Sequence, residues 1–152
     1  MNVLEQSELL GEIPLFATLT ESQLKLLAFT SEVYEYEAGE FLCHQGEASD
    51  AIYVVLDGEI EIKEMTGDEP LILATQGQGA LIGEMAVLRD APRSATIQAR
   101  TKVQALQLSK DRFLELITGN PQLSLYVLND LATKLANTNM QLARLQSENM
   151  NK

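Results

Sequence analysis

A short segment in the middle of the chain concentrates charged and hydroxyl side chains next to glycines. The run GALIGEMAVLRDAPRSATIQA, residues 79–99, brings Glu84, Arg93 and two hydroxyl side chains close together. The residues after Gly83 favour a short helical turn, whose first backbone N–H groups lack partners in the helix and can donate to an anion. The planar fork of arginine suits two oxygens of one phosphate. The segment therefore predicts a phosphate site.

Glu84 is an unusual neighbour for an anion, because a carboxylate repels negative charge. A ligand that also carries hydroxyl groups would explain it, since a carboxylate accepts hydrogen bonds from hydroxyls. A sugar phosphate offers both groups. On spacing alone, an exposed ion pair between Glu84 and Arg93 is the competing interpretation. If a strand already includes Arg93, Ser94 and Thr96 lie on the opposite face from it.

Composition limits the classes of function. The 152 residues are 45% hydrophobic with a formal net charge of −11, which fits one domain over residues 1–152 and disfavours nucleic-acid binding. A single cysteine, Cys43, permits no internal disulfide. No apolar run reaches the roughly 18 residues of a membrane span, and the first residues do not resemble a signal peptide. We expect a cytoplasmic protein without a membrane or nucleic-acid partner.

The chain divides into helical, β and helical zones. Residues 1–30 predict two short helices, and the capping-box pattern TESQ begins the second at Thr20. Residues 31–108 alternate with period two between closely spaced turn signals, as in a β-sandwich or barrel. Asp57 and Gly58 predict a tight hairpin between the strands on either side of them. Residues 109–148 predict two further helices, with Ser109 as the N-cap of the first.

The final helix carries a heptad pattern typical of a two-stranded coiled coil. Its seam, at steps of three and four residues, consists of Leu128, Leu131, Leu135, Thr138, Leu142 and Leu145. Packing of this stripe on the β domain is an equal alternative for the first half of the helix. Beyond Ala136 the apolar stripe should extend past the surface of the β domain, so we expect this helix to form a homodimer.

The segment IGEMAVL followed by APRSAT resembles the phosphate-binding cassette of cyclic nucleotide-binding domains, over residues 79–96. The stretch YEAGEFLCHQGEASDAIYVVLDGEIEI is similar to the early strands of that family, and NPQLSLYVLNDLATKLANTN is similar to the closing helices of the bacterial catabolite activator group. The resemblance covers about residues 13–145. It implies an α+β fold, a double-stranded β-helix or jelly-roll β-sandwich between short N-terminal helices and a long C-terminal helix.

The resemblance also implies roles for individual residues. Glu84 would accept the ribose 2′-hydroxyl, and Arg93 would pair with the phosphate. Ser94 would contact phosphate or base. The backbone would line the phosphate and sugar at Gly83, Met85 and Ala86.

On the last helix, Thr138 and Asn139 match the Thr-Ser pair that meets adenine in the activator group, with Asn139 reaching across the dimer. Lys134 stands where that group has an arginine, so its contact toward Glu84 would be a point charge rather than a fork. Ile82 replaces a frequent phenylalanine. Thr138 favours cAMP as the ligand, although Asn139 both donates and accepts and leaves cGMP open.

The resemblance implies a non-catalytic sensor that signals through its C-terminal helices. The winged helix-turn-helix of related transcription factors has no counterpart in residues 1–152, so the chain is either free-standing or part of a longer protein. A degenerate domain that serves as an interaction scaffold without nucleotide is the alternative.

Other classes of function fit the residues less well. A cupin-type metal enzyme usually needs several histidines, whereas His44 is alone, and an iron–sulfur sensor needs several cysteines. His44 and Cys43 are neighbours in a strand and should point to opposite faces. The pattern of Glu59, Glu61 and Glu64 indicates a strand face that is exposed to solvent. We therefore expect no enzymatic activity and no cofactor or metal.

Overall fold

A computed structural model describes residues 2–65 and 67–150. Helices α1 (Val3–Gly11) and α2 (Glu21–Thr30) precede the strands, with a 3-10 turn at Pro14–Phe16 between them. The predicted capping box is confirmed, because Thr20 N donates to Gln23 Oε1 at 2.9 Å and Gln23 N donates to Thr20 Oγ1 at 3.2 Å. Local polar groups therefore fix the start of α2.

Eight strands in the described part of the chain form two antiparallel sheets of four. They are β1 (Glu32–Tyr36), β2 (Phe41–Cys43), β3 (Ala51–Asp57), β4 (Ile60–Glu64), β5 (Leu71–Gln76), β6 (Leu81–Ile82), β7 (Thr96–Ala99) and β8 (Val103–Ser109). One sheet has the order β1-β8-β3-β6 and the other has the order β2-β7-β4-β5. The predicted jelly-roll β-sandwich with flanking helices is confirmed.

The prediction of a hairpin at Asp57 and Gly58 is wrong. Strands β3 and β4 lie in different sheets, so the chain turns a corner at this point instead of pairing with itself. Gly58 has a φ of +94°, and a side chain there would collide with the backbone carbonyl of Lys102. The Asp-Gly signal indicated the positive φ correctly, but it does not determine which strand pairs with which.

Two apolar cores lie on either side of the first sheet. Ile52, Val54 and Leu56 of β3 pack toward the helices, whereas Tyr53 and Val55 pack between the two sheets. Six consecutive residues of β3 are therefore buried, because both faces of the strand are covered. The sheet holds the helices at a fixed place relative to the cassette segment.

A short helix, α3 (Glu84–Arg89), lies between β6 and β7, and helices α4 (Lys110–Gly119) and α5 (Pro121–Met150) follow β8. Ser109 caps α4 as predicted, since Arg112 N donates to Ser109 Oγ at 3.2 Å. Leu123 and Val127 of α5 are buried against the first core, and Leu131 packs at its edge. None of the helices in residues 2–65 and 67–150 is long and apolar enough to cross a membrane.

Most of the heptad seam on α5 faces away from this domain. The leucines of the seam that are more than half exposed are Leu128, Leu135, Leu142 and Leu145. The alternative that the early seam packs on the β domain therefore holds for Leu131 but not for Leu128. An exposed apolar row of this length is typical of an interaction surface.

Candidate functional site

A cavity of about 400 Å³ lies between the second sheet, the cassette segment and α5. Strands β4 and β5 and the start of β7 contribute one wall, and the residues around Gly83 and Arg93 contribute another. One face of α5, from Lys134 to Gln141, closes the third side. Residues far apart in sequence therefore meet around one space large enough for a small ligand.

Gly83 is required at the entrance of the cassette helix α3 (Glu84–Arg89). Its φ of +88° is in the left-handed region, where side chains are strained. A Cβ atom at this position would also collide with the guanidinium of Arg93. The glycine thus allows Arg93 to lie directly against the start of α3. Since α3 has only six residues, its dipole is small, and the positive charge at the cavity comes from the side chains of Arg93 and Lys134.

Arg93 is a buried cation with an unused donor. Arg93 is only 5% exposed to solvent. Its Nη2 donates to the carbonyl oxygen of Ala51, and its Cζ lies 5.5 Å from the ring centroid of Tyr53. Nη1 is buried and has no hydrogen-bond partner among the residues that the structure describes. None of these residues places a carboxylate within ion-pairing distance of Arg93. A bound anion would satisfy both needs.

The backbone around Arg93 is held by the turn that follows β2. Arg93 N donates to Glu47 O at 2.8 Å, and Gly46 N donates to Arg93 O at 2.8 Å. Thr96, also buried, accepts from Gln45 N at 2.9 Å. These long-range bonds fix the backbone that carries Arg93, and the bond from Nη2 to Ala51 O holds its guanidinium. Groups that are already ordered lower the entropic cost of binding.

Glu84 is 1% exposed and pairs with Lys134 of α5. Lys134 Nζ also donates to Leu81 O at 3.0 Å and lies 3.0 Å from Asp130 Oδ2. This is the point-charge contact expected between Lys134 and Glu84. The ammonium therefore ties the last helix to both the strand and the helix of the cassette segment.

Burial raises the pKa of Glu84 above its ordinary value, and the charge and hydrogen bond of Lys134 act in the opposite direction. Burial alone would lower the pKa of Lys134. The carboxylates of Glu84 and Asp130 more than compensate, so the pKa of Lys134 also lies above its ordinary value. The two side chains thus depend on each other for their charged state.

Replacing Lys134 with methionine should lower the free energy of unfolding by about 3 kcal/mol at neutral pH, because Glu84 becomes an unpaired buried charge. A carboxyl whose folded pKa is raised loses stability as the pH rises through that pKa. The deficit of the variant should therefore shrink at acidic pH, where Glu84 is protonated. Chemical denaturation of both proteins at neutral and acidic pH measures the difference.

Lys25→Met is the matched control, since it removes an exposed ion pair with Glu21 in α2. Its effect should stay within about 1 kcal/mol. A Lys134 variant as stable as this control at neutral pH would contradict the proposed dependence of Glu84 on Lys134.

Almost all of the predicted site residues line the cavity. Those that line it are Gly83, Glu84, Met85, Ala86, Arg93, Ser94 and Thr138. Asn139 is exposed and does not line the cavity, so its contact across a dimer stays a prediction. Strand β7 begins at Thr96, after Arg93 and Ser94. The strand alternation that would separate Ser94 from Arg93 does not apply, and both side chains reach the same wall.

Several lining residues were not predicted from the sequence. Asn137 and Gln141 lie on the same face of α5 as Lys134, at spacings of three and seven residues. That spacing could have identified them once Lys134 was placed. Glu64 of β4 is half-buried and also lines the cavity, a position that its assignment to a solvated strand face did not anticipate.

The sequence matches a family model described as the cyclic nucleotide-binding domain over residues 33–120. A cAMP-dependent protein kinase regulatory subunit from Yarrowia lipolytica is 39% identical over 110 residues, covering 71% of this chain and 28% of that protein. The chain spans about a quarter of the length of this and similar curated relatives.

Solved structures agree with the sequence matches. The catabolite activator protein of Thermus thermophilus has a TM-score of 0.74 and 28% identity, and the match covers 88% of this chain and 63% of that chain. The sensor domain of the transcriptional regulator DNR from Pseudomonas aeruginosa has a TM-score of 0.75 and 27% identity, covering 88% of this chain and 90% of that one.

Proposed function

This chain belongs to the cyclic nucleotide-binding domain family, and we propose that it is a non-catalytic sensor module whose ligand is cAMP. The observation that carries the proposal is the buried guanidinium of Arg93, whose Nη1 has no partner among the described residues. A degenerate domain would have no reason to keep a buried cation without a counter-ion. The phosphate of a cyclic nucleotide supplies that counter-ion inside the cavity.

The sugar of the ligand would lie beside Glu84. A cyclic phosphate bound to Arg93 would bring its ribose next to the start of α3, where Glu84 lines the cavity as an acceptor. Because Lys134 already contacts one carboxylate oxygen, the 2′-hydroxyl would share Glu84 with Lys134. A carboxylate has two oxygens and about four lone pairs, so both donors can be accommodated.

Thr138 supports adenine as the base. Its Oγ1 donates to the carbonyl oxygen of Lys134 at 2.9 Å, so the hydroxyl proton is used within the helix. The oxygen then presents only lone pairs to the cavity. It suits the 6-amino group of adenine and repels the O6 carbonyl of guanine. The Yarrowia relative is named as a cAMP-dependent kinase subunit, which agrees with this preference.

The signal would pass through α5. Lys134 and Thr138 of this helix share the cavity wall with Glu84 and Arg93, so ligand contacts differ between a closed and an open position of the helix. A ligand shifts such an equilibrium only through its difference in affinity for the two positions. The ion pair of Lys134 with Glu84 is where this difference would arise.

We also propose that α5 forms a homodimer. The support is the exposed row of Leu128, Leu135, Leu142 and Leu145, which continues beyond the β domain at heptad spacing. In such a dimer Asn139 of one protomer would approach the cavity of its partner. Thr138 interrupts the apolar row, and a purine against it would compensate for that interruption.

Titration calorimetry with cAMP and cGMP tests the function. The protein should first be unfolded and refolded, so that any copurified nucleotide is removed. We expect saturable binding of both, with cAMP the tighter ligand. If the folded protein bound neither nucleotide, the result would contradict the sensor function, and the scaffold alternative would then be preferred.

A further inference from the structure

We propose that Glu64 is a specificity-determining residue that accepts a hydrogen bond from the 6-amino group of the bound base. The inference rests on the proposed cyclic-nucleotide function and extends it to a residue outside the cassette and outside α5. It is carried by the inward position of an unpaired carboxylate on β4.

Glu64 continues the inward row of its strand. Ile60 is buried between the two sheets and Ile62 packs against the same cluster, whereas Lys63 contacts Gln98 of β7. Two residues after Ile62, the side chain of Glu64 lines the cavity. Alternation along the strand therefore places the half-buried Glu64 on the cavity face of the sheet.

The carboxylate of Glu64 has no hydrogen bond or ion pair with another residue in the described part of the chain. Lys134, the cation on the facing helix, is already engaged by Glu84 and Asp130. A free carboxylate in a cavity that must receive an anion is unfavourable unless the ligand also brings a hydrogen-bond donor. The ligand group that meets Glu64 should therefore be a donor.

The exocyclic amino group of adenine is such a donor. It carries two N–H bonds, and acidic side chains accept from exocyclic amines of bases. Thr138 presents lone pairs only, so the cavity has an acceptor on α5 and another on β4, and an amino group suits either of them. Asn137 and Gln141 lie along the same wall, and their amides can both donate and accept at the ring nitrogens.

The test compares cAMP with cyclic inosine monophosphate (cIMP), and uses cGMP as a third ligand, in the wild type and in variants of Glu64. The base of cIMP carries a carbonyl oxygen where cAMP carries the 6-amino group. Glu64→Gln removes a negative charge near an anionic ligand, which should raise the affinity for both ligands alike. The informative quantity is therefore the ratio of cAMP to cIMP affinity, which should fall by about tenfold in Glu64→Gln.

Glu61→Gln is the matched control, because it removes the same charge from the same strand but does not line the cavity. It should leave the ratio unchanged. Calorimetry gives both affinities, and Glu64→Ala provides a second reading if the glutamine variant does not fold.

The outcomes separate the two proposals. An unchanged ratio in proteins that bind both nucleotides overturns the role of Glu64 and leaves the sensor function intact. A Glu64→Gln variant that loses cGMP affinity selectively overturns the assignment to the 6-amino group. A wild type that binds none of the three nucleotides removes the function and this inference together.

Discussion

Replacing Arg93 with leucine should weaken cAMP binding by about 30- to 3,000-fold, which corresponds to about 2 to 5 kcal/mol. The reason is that the phosphate would enter a cavity whose buried cation is gone, while Glu84 remains nearby. Titration calorimetry on the refolded variant measures the loss. Unchanged affinity would refute Arg93 as the phosphate contact.

Two variants keep this prediction interpretable. Arg93→Lys retains the charge but loses the fork that spans Ala51 O and the cavity, so its affinity should lie between wild type and the leucine variant. Arg100→Leu removes an exposed arginine paired with Glu59 and should bind like wild type. Thermal unfolding of each variant shows whether a lost affinity reflects a lost fold.

Replacing Leu142 and Leu145 together with glutamate should convert a dimer into monomers. In a two-stranded coiled coil these positions face the partner, so the double variant places four carboxylates in an apolar seam. Both leucines are more than half exposed within one chain, which limits any effect on the fold of the domain itself. Light scattering at several protein concentrations measures the mass.

The control for the seam adds the same charge elsewhere on the helix. Ala143→Glu with Gln146→Glu moves each substitution by one residue, about 100° around the helix axis, and should remain dimeric. A wild type that is monomeric at all concentrations would contradict the proposed dimer. Equal dissociation of both double variants would show that charge, and not the seam, controls assembly.

The order of elements and the cassette could be predicted from the sequence because their signals are local. The capping groups of Thr20 and Ser109 lie within three residues of the amides they satisfy. Gly83, Glu84 and Arg93 occupy one short segment in which backbone geometry and side-chain chemistry are set together. Such signals need no knowledge of the rest of the fold.

Only the tertiary structure decided which elements meet. Strands β3 and β4 are separated by two residues yet lie in different sheets, because strand pairing depends on long-range burial rather than on the turn. Lys134 meets Glu84 across fifty residues of sequence. Glu64 lies on a strand face that becomes the wall of a cavity only because α5 is placed opposite it. Burial of a charge is a property of its surroundings, and the surroundings are assembled from the whole chain.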